Sequence, residues 1–333
     1  MNIERIVAGA TIPPEFETVR GLRDVPIEPL APGVPCWIAR EDGRAVARLS
    51  LHLRDDMTGA PGRSGLIGHY EAAIREAGVA LLVAARRELV ERGALRVLGP
   101  MNGSTWARYR LALESEPGDP ASTPPWFTGE PRNPVDYPAH FEAAGFHVCA
   151  RYESRIEDLA GDATDAGAVA ARVADAGFSL RPLDLERFDA ELGTLFALSL
   201  EAFADNLYYT PIPETAFRAI YEPLRSRMDP AYVLVAVDRE QRPCGFLFAF
   251  ADPLSVRDGR AVRLIAKTVA VAPRARGRGV ANRMLDVLRS TARARGMREV
   301  VHALMHVANF SMRMSGRQES RVFRRYALWE WTP

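Results

Sequence analysis

The sequence predicts an α/β protein of two related halves, each a mixed and mostly antiparallel sheet flanked by helices. In the second half, a strand, a glycine-rich loop and an amphipathic helix follow one another over 264–295. Each half also has a helix that ends at a glycine and then a strand that leads to an asparagine. These residues are Gly93 and Asn102 in the first half and Gly296 and Asn309 in the second. With 333 residues, the chain is long enough for two domains of ordinary size.

The first half is predicted over residues 1–157 and begins with strand signals. Asp42-Gly43 lies between two apolar runs, which is a strong hairpin signal. A further strand is predicted at 65–71, and an amphipathic helix at 79–92. Residues 117–138 contain seven prolines with aromatic residues among them, which predicts a packed or ligand-facing loop.

The second half is predicted over 177–333, after an alanine-rich linker at 158–176. Its periodicities predict a strand, two helices and a hairpin, followed by the strand, loop and helix described above and by one further strand. In chain order these are 178–183, 185–203, 213–227, 232–250, 264–271, 280–295 and 299–307.

Composition and charge narrow the class of protein. The net charge of +1 and the 47% content of hydrophobic residues are typical of a soluble globular protein and argue against a nucleic-acid partner. The first residues carry charges and no long apolar run, so we expect a cytoplasmic protein without a membrane span. The three cysteines are far apart and lack Cys-x-x-Cys spacing, so we expect neither a disulfide framework nor a metal site.

The loop that precedes the last long helix carries the clearest chemical signal. Three arginines alternate there with two glycines, and the helical pattern begins immediately afterwards; the residues are Arg274, Arg276, Gly277, Arg278 and Gly279. Glycines let the backbone turn its N–H groups towards an anion, and a helix start adds unpaired N–H donors. The loop therefore predicts a diphosphate site, with an arginine-rich surface turn as the alternative.

Spacing distinguishes this loop from two common nucleotide loops. A P-loop needs Lys-Ser/Thr where Val280-Ala281 stand, and a Rossmann fingerprint needs a third glycine at Asn282. The string 276–281 instead matches Arg/Gln-x-x-Gly-x-Gly/Ala and follows Val-x-Pro at 271–273. This pattern resembles motif A of the GNAT superfamily of acyl-CoA N-acyltransferases.

The resemblance implies two GNAT-like domains in tandem and a cofactor, acetyl-CoA or coenzyme A. In that family the loop wraps the pyrophosphate and the preceding strand hydrogen-bonds the pantetheine arm. The implied cofactor-binding residues are Val269, Val271, Arg276, Gly277, Arg278, Gly279, Val280, Ala281 and Asn309. The first half has no such loop, so we expect it to be degenerate and to hold no second cofactor. The implied activity is transfer of an acyl group, expected to be acetyl, to a small amine or an amino terminus by direct attack.

At the catalytic positions the sequence departs from the family. Its motif A strand carries Lys267 but no carboxylate, and the tyrosine expected seven residues after Asn309 is replaced by Gly316. His302 and His306 are four apart on a predicted strand, hence expected on one face, and are the candidate bases. Their separation of roughly 13 Å along a strand argues against a shared metal. The acceptor wall of GNAT proteins corresponds here to Asn206, Tyr208, Tyr209 and Glu214.

Two other functions stay open at this point. The missing carboxylate and tyrosine are compatible with a non-catalytic acyl-CoA-binding or regulatory protein. The duplicated halves are compatible with a GNAT-like enzyme that transfers an aminoacyl group from charged transfer RNA, although the near-zero net charge speaks against that partner.

Overall fold

The computed structural model describes residues 1–26, 28–114, 125–160, 166–308 and 320–333. Numbered along the chain, the strands are β1 (Asn2–Ile6), β2 (Cys36–Glu41), β3 (Arg44–Arg54), β4 (Ser64–Ala72), β5 (Arg96–Gly99), β6 (Leu111–Ala112), β7 (His147–Asp158), β8 (Ser179–Pro182), β9 (Val233–Val237), β10 (Pro243–Ala251), β11 (Val256–Arg257), β12 (Arg260–Ala261), β13 (Arg263–Val271), β14 (Glu299–His306) and β15 (Arg321–Trp331).

The helices are α1 (Glu15–Thr18), α2 (Arg75–Glu91), α3 (Tyr137–Ala143), α4 (Ala166–Asp175), α5 (Phe188–Phe203), α6 (Glu214–Tyr221) and α7 (Val280–Ala294). None of the helices in the described ranges has the length and apolar character needed to cross a membrane.

Thirteen of the described strands form one continuous sheet. Their order is β1-β2-β3-β4-β5-β15-β7-β14-β13-β10-β9-β8, with β6 beside β15. Most neighbours are antiparallel, while β4–β5 and β13–β14 are parallel pairs. The predicted fold class, a mixed sheet flanked by helices, is confirmed.

Local sequence signals explain the elements on each side of the sheet. At the turn between β2 and β3, Asp42 has φ 48° and Gly43 φ 80°, the positive values that a tight two-residue hairpin requires. Helix α7 buries Met284, Leu285 and Leu288 against apolar side chains of β13 and β14. Its hydrophobic positions recur at three and four residues, so one face of the helix covers the sheet.

The two halves of the chain exchange a strand. β7, which comes from the first half, pairs antiparallel with β14, whereas β15, at the end of the chain, pairs antiparallel with β5 and β7. The sheet therefore runs without a break across the predicted boundary at 158–176. The division of the chain into residues 1–157 and 177–333 stays a prediction.

Both parallel pairs share one irregularity, which supports the internal repeat. In β4 an extra residue is accommodated beside His69, because Arg48 pairs with Glu71 but Ser50 pairs with Gly68. In β13 the extra residue is Lys267, since Phe248 and Ala249 pair with residues 268 and 266. A bulge of this kind bends a strand away from its neighbour. Parallel pairing ends just before each bulge, so each half contains a cleft in the middle of its sheet.

Candidate active site

A cavity of about 610 Å³ lies where β13 and β14 separate. The parallel register runs from Arg263 with Glu299 to Ala266 with His302 and then stops. The strands beyond that point form two walls, and residues 105–110 of the first half form another. Residues lining the cavity include Trp106, Tyr109, Arg110, Tyr152, Phe203, Asn206, Leu207, Tyr209, Ile220, Tyr221, Lys267, Val269, His302 and His306.

The edge of β13 presents backbone groups to this gap. Ala272 donates its N–H to the Cys244 carbonyl on the β10 side, at 2.9 Å. Because backbone groups alternate along a strand, Val271 and Val269 direct theirs to the opposite side, towards the gap. Consistent with this, the Val271 carbonyl accepts a hydrogen bond from Arg276 Nε rather than from β10. Val269 is thus placed to bond a ligand in the cavity, as the resemblance implies.

The glycine loop connects β13 to α7 and has the geometry of an anion cradle. Gly277 and Gly279 have φ of 76° and 82°, in the left-handed region where a side chain is strained. Helix α7 begins at Val280, and no side chain in the described part of the chain caps its N-terminus. The first-turn N–H groups, including that of Ala281, therefore lack intrahelical partners. These donors and the open space beside Gly277 fit a pyrophosphate group.

The arginine side chains of the loop bind the protein itself. Arg276 donates to the Ala202 carbonyl at 2.9 Å and lies 3.5 Å from Asp205. Arg278 places its guanidinium over the Phe178 ring, 5.7 Å from the centroid. The backbone, rather than these side chains, is therefore the main element of the cradle. The remaining implied cofactor residue, Asn309, lies outside the described residues.

His302 is held by a buried carboxylate. Its Nε2 lies 3.1 Å from Glu157 Oε2, and Glu157 is also 2.8 Å from Arg289. Burial alone would raise the pKa of Glu157, but the hydrogen bond from His302 and the charge of Arg289 outweigh it and lower that pKa. An ionised carboxylate only accepts hydrogen bonds, so His302 Nε2 carries the proton and Nδ1 is left as the basic nitrogen.

His306 is oriented differently, and the expectation that both histidines share one face is wrong. His302 pairs with Arg155 and Met305 with Glu153, so β14 has one residue more than β7 between these two pairs. This one-residue bulge reverses the alternation of the side chains along β14. His306 Nδ1 accepts the Ala308 N–H at 3.2 Å, so a neutral ring carries its proton on Nε2. Burial, and then the charge of Arg110, lower the pKa of His306.

Arg110, from the first half, is a part of the site that sequence reasoning missed. Its Nη1 donates to the Leu304 carbonyl at 3.0 Å, next to the β14 bulge. Its guanidinium lies 3.8 Å from the Tyr109 ring centroid and 4.1 Å from that of Tyr152. Lys267 also lines the cavity while part of its surface stays exposed, and burial, followed by the charge of Arg110, lowers its pKa. No local sequence motif indicates a role for Arg110, because its hydrogen-bond partner Leu304 is 194 residues away in the chain.

The four residues of the predicted acceptor wall separate into two pairs. Asn206 and Tyr209 line the cavity. Tyr208 does not, because it is buried in the core of the first half, with its backbone N–H donating to the Thr58 carbonyl at 2.8 Å. Glu214 lies outside the cavity lining and forms a 2.7 Å ion pair with Arg218 on the same helix.

Comparison with known proteins agrees with the resemblance found in the sequence. Residues 198–313, in the second half, match the model of the acetyltransferase (GNAT) family. The predicted arrangement of two GNAT-like halves has the fold of a solved tandem GNAT protein. The chain is 28% identical over 205 residues to the bacterial ceramide synthase of Caulobacter vibrioides (strain NA1000 / CB15N). That match covers 60% of this chain and 52% of the relative, about half of the relative's length.

Two solved structures share the fold. A GCN5-related N-acetyltransferase from Sphaerobacter thermophilus superposes with a TM-score of 0.52 at 16% identity, over 92% of this chain and 82% of that one. A tandem GNAT protein from the clavulanic acid biosynthesis pathway gives a TM-score of 0.50 at 17% identity, over 90% and 82% of the two chains.

Proposed function

We propose that the protein is an acyl-CoA-dependent N-acyltransferase with one cofactor site, in the second half. The observation that carries this proposal is the cleft between β13 and β14. Its lining includes Val269 on β13 and Leu285 on α7, the two elements that the glycine loop connects. A cleft with free strand-edge groups at one end and anion-binding N–H groups at the other suits an elongated ligand that ends in phosphates. Acyl-CoA supplies the activated thioester carbonyl when bound.

The residues of the cleft have distinct roles in this proposal. The backbone of Gly277, Gly279 and Val280 holds the pyrophosphate, and Val269 holds the arm that leads into the cavity. A backbone N–H at the β13 edge stabilises the charge that develops on the carbonyl oxygen.

His302 serves as the base in this proposal. Its Nδ1 takes the proton of the attacking amine, directly or through water, while Glu157 fixes the tautomer and stabilises the positive ring. His306 is less suited to this role, because its Nδ1 is occupied by the Ala308 N–H. The structure thus favours one of the two candidate histidines on hydrogen-bond geometry.

The lining of the cavity favours an acceptor amine with an apolar body. Trp106, Phe203 and Tyr221 form aromatic walls, and Leu207 and Ile220 lie at the surface, 36% and 39% exposed. These apolar walls favour ligands that fit them by area and shape, while Arg110, Lys267 and the two histidines supply polar groups in the same cavity. The relative from Caulobacter vibrioides is a bacterial ceramide synthase, and a ceramide is a lipid amide. A long-chain amine is therefore a more specific candidate acceptor than a small polar amine.

Calorimetric titration followed by an acyl-transfer assay tests the proposal. We expect acetyl-CoA to bind at one per chain, and free thiol to be released when an acceptor is present. The assay pairs acetyl-CoA and palmitoyl-CoA with small polar amines, peptide amino termini and long-chain amines. Saturable binding without thiol release across this panel would indicate a non-catalytic acyl-CoA-binding protein. Absence of binding to acetyl-CoA and to coenzyme A would contradict the assignment of the cleft.

A further inference from the structure

The cleft of the first half contains a small arginine-rich cavity. It lies beyond the end of the β4–β5 pairing, beside the His69 bulge, and is the counterpart of the proposed cofactor cleft. Its volume is about 60 Å³, and Arg20, Leu22, Val25, Pro26 and Glu28 form part of its lining. Five arginines line it: Arg20, Arg48, Arg108, Arg110 and Arg132.

The arginines of this cavity have buried nitrogen atoms without partners. Within the described part of the chain, Arg48 Nη1, Arg110 Nε and Arg132 Nε are buried and make no hydrogen bond. Arg48 and Arg110 are only 3% and 6% exposed. Leaving a buried donor unpaired costs about 1–3 kcal/mol, and more for a charged group. Three such atoms around one cavity indicate that a ligand, rather than the protein, completes their hydrogen bonds.

The two carboxylates of the cavity are bonded elsewhere. Glu71 accepts hydrogen bonds from the Gly21 N–H at 2.7 Å and from the Tyr137 hydroxyl at 2.9 Å. Glu28 accepts from the Asn102 amide and from the backbone N–H of Arg108. Among the described residues, neither forms an ion pair with an arginine of the cavity. Asp24, outside the lining, forms an ion pair with Arg132, and the charge of Glu71 partly offsets the effect of burial, which lowers the pKa of Arg48. Five arginines still outnumber these three carboxylates, so the cavity keeps a net positive charge.

We propose that this cavity is a binding site for a small oxyanion, a phosphate or carboxylate group. Guanidinium groups bind such anions through paired N–H donors. A volume of about 60 Å³ suits a small anionic group better than a whole nucleotide. The site does not depend on acyl transfer in the second half.

The experiment titrates the full chain with inorganic phosphate and, separately, with acetate, by calorimetry and thermal unfolding against chloride at equal ionic strength. We expect saturable binding of at least one of the two anions and a higher Tm, because a ligand that binds the folded state stabilises it. Arg48→Gln and Arg132→Gln should each weaken that binding at least ten-fold. Arg44→Gln, which makes the same charge change at the exposed β2–β3 turn, should leave it unchanged.

Phosphate also fits the glycine loop, so Gly279→Val is titrated in parallel and should retain the anion site. If Arg48→Gln fails to fold, Arg132→Gln decides, because the Arg132 side chain is 23% exposed and better tolerated. The proposal is overturned if neither anion binds. It is equally overturned if both arginine variants bind like the unmodified chain, or if Gly279→Val alone abolishes binding.

Discussion

Replacing Gly279 with valine tests whether the glycine loop holds the cofactor. Gly279 has φ 82° and ψ 0°, a conformation that a β-branched residue adopts only at a cost of about 1–3 kcal/mol. An added Cβ would lie 3.3 Å from Arg172 Nε and 3.4 Å from Val173 Cγ2, so it has little room to relax on that side. Relaxation of the backbone would turn the N–H groups of residues 279 and 280 away from the anion. We expect coenzyme A affinity to fall by about 1–3 kcal/mol, roughly 5- to 150-fold.

Gly296→Val is the matched control for this experiment. Gly296 has φ 78°, follows the other end of α7, and an added Cβ there has no atom within 4 Å. It carries similar backbone strain at a distance of about 22 Å along the helix. Calorimetric titration of both variants with coenzyme A should show weakened binding for Gly279→Val alone, while urea unfolding shows losses of stability in both. Equal affinities in the two variants would refute the assignment of the loop.

Three further predictions concern the histidines. His302→Gln should lower kcat for acyl transfer about 10²- to 10⁴-fold through loss of the base, and His306→Gln less than about ten-fold, as measured by thiol release. Arg110→Met should raise the pKa of His306 towards its ordinary value in an NMR titration, because a nearby positive charge is removed. Burial, and then the charge of Arg54, lower the pKa of His52 to about 4. The ordinary pKa of histidine is about 6.5, so as the pH falls the unfolded chain protonates His52 before the folded chain does. Urea unfolding should show about 2 kcal/mol of stability lost on this account between pH 7 and 5, and His52→Gln should remove that share.

Sequence reasoning was most successful where a signal is local. The positive φ angles at Asp42-Gly43 and the start of α7 directly after Gly279 follow from residues that are adjacent in the chain. The order of elements in each half follows from periodicity in the same way. These features, together with the motif A resemblance, predicted the family whose model matches residues 198–313.

Features that depend on tertiary pairing were not predicted. The shared face expected for His302 and His306 assumed a regular strand, and a single inserted residue was enough to invalidate it. Glu157 and Arg110 reach the site across 145 and 194 residues, and neither belongs to a motif. Tyr208 was assigned to the acceptor wall by its position between two helices, yet its positive φ of 62° belongs to a loop that packs on the first half.

The strand exchange links these unpredicted features to the proposed chemistry. Glu157 lies on β7, a strand of the first half, and it meets His302 only because β7 completes the sheet of the second half. In return, β15 completes the sheet of the first half beside β5. A half without its exchanged strand would expose a long sheet edge, which is unfavourable in water. The first half thus contributes to the proposed site, because it supplies the carboxylate that orients the proposed base and the arginine that lowers the pKa of the neighbouring His306.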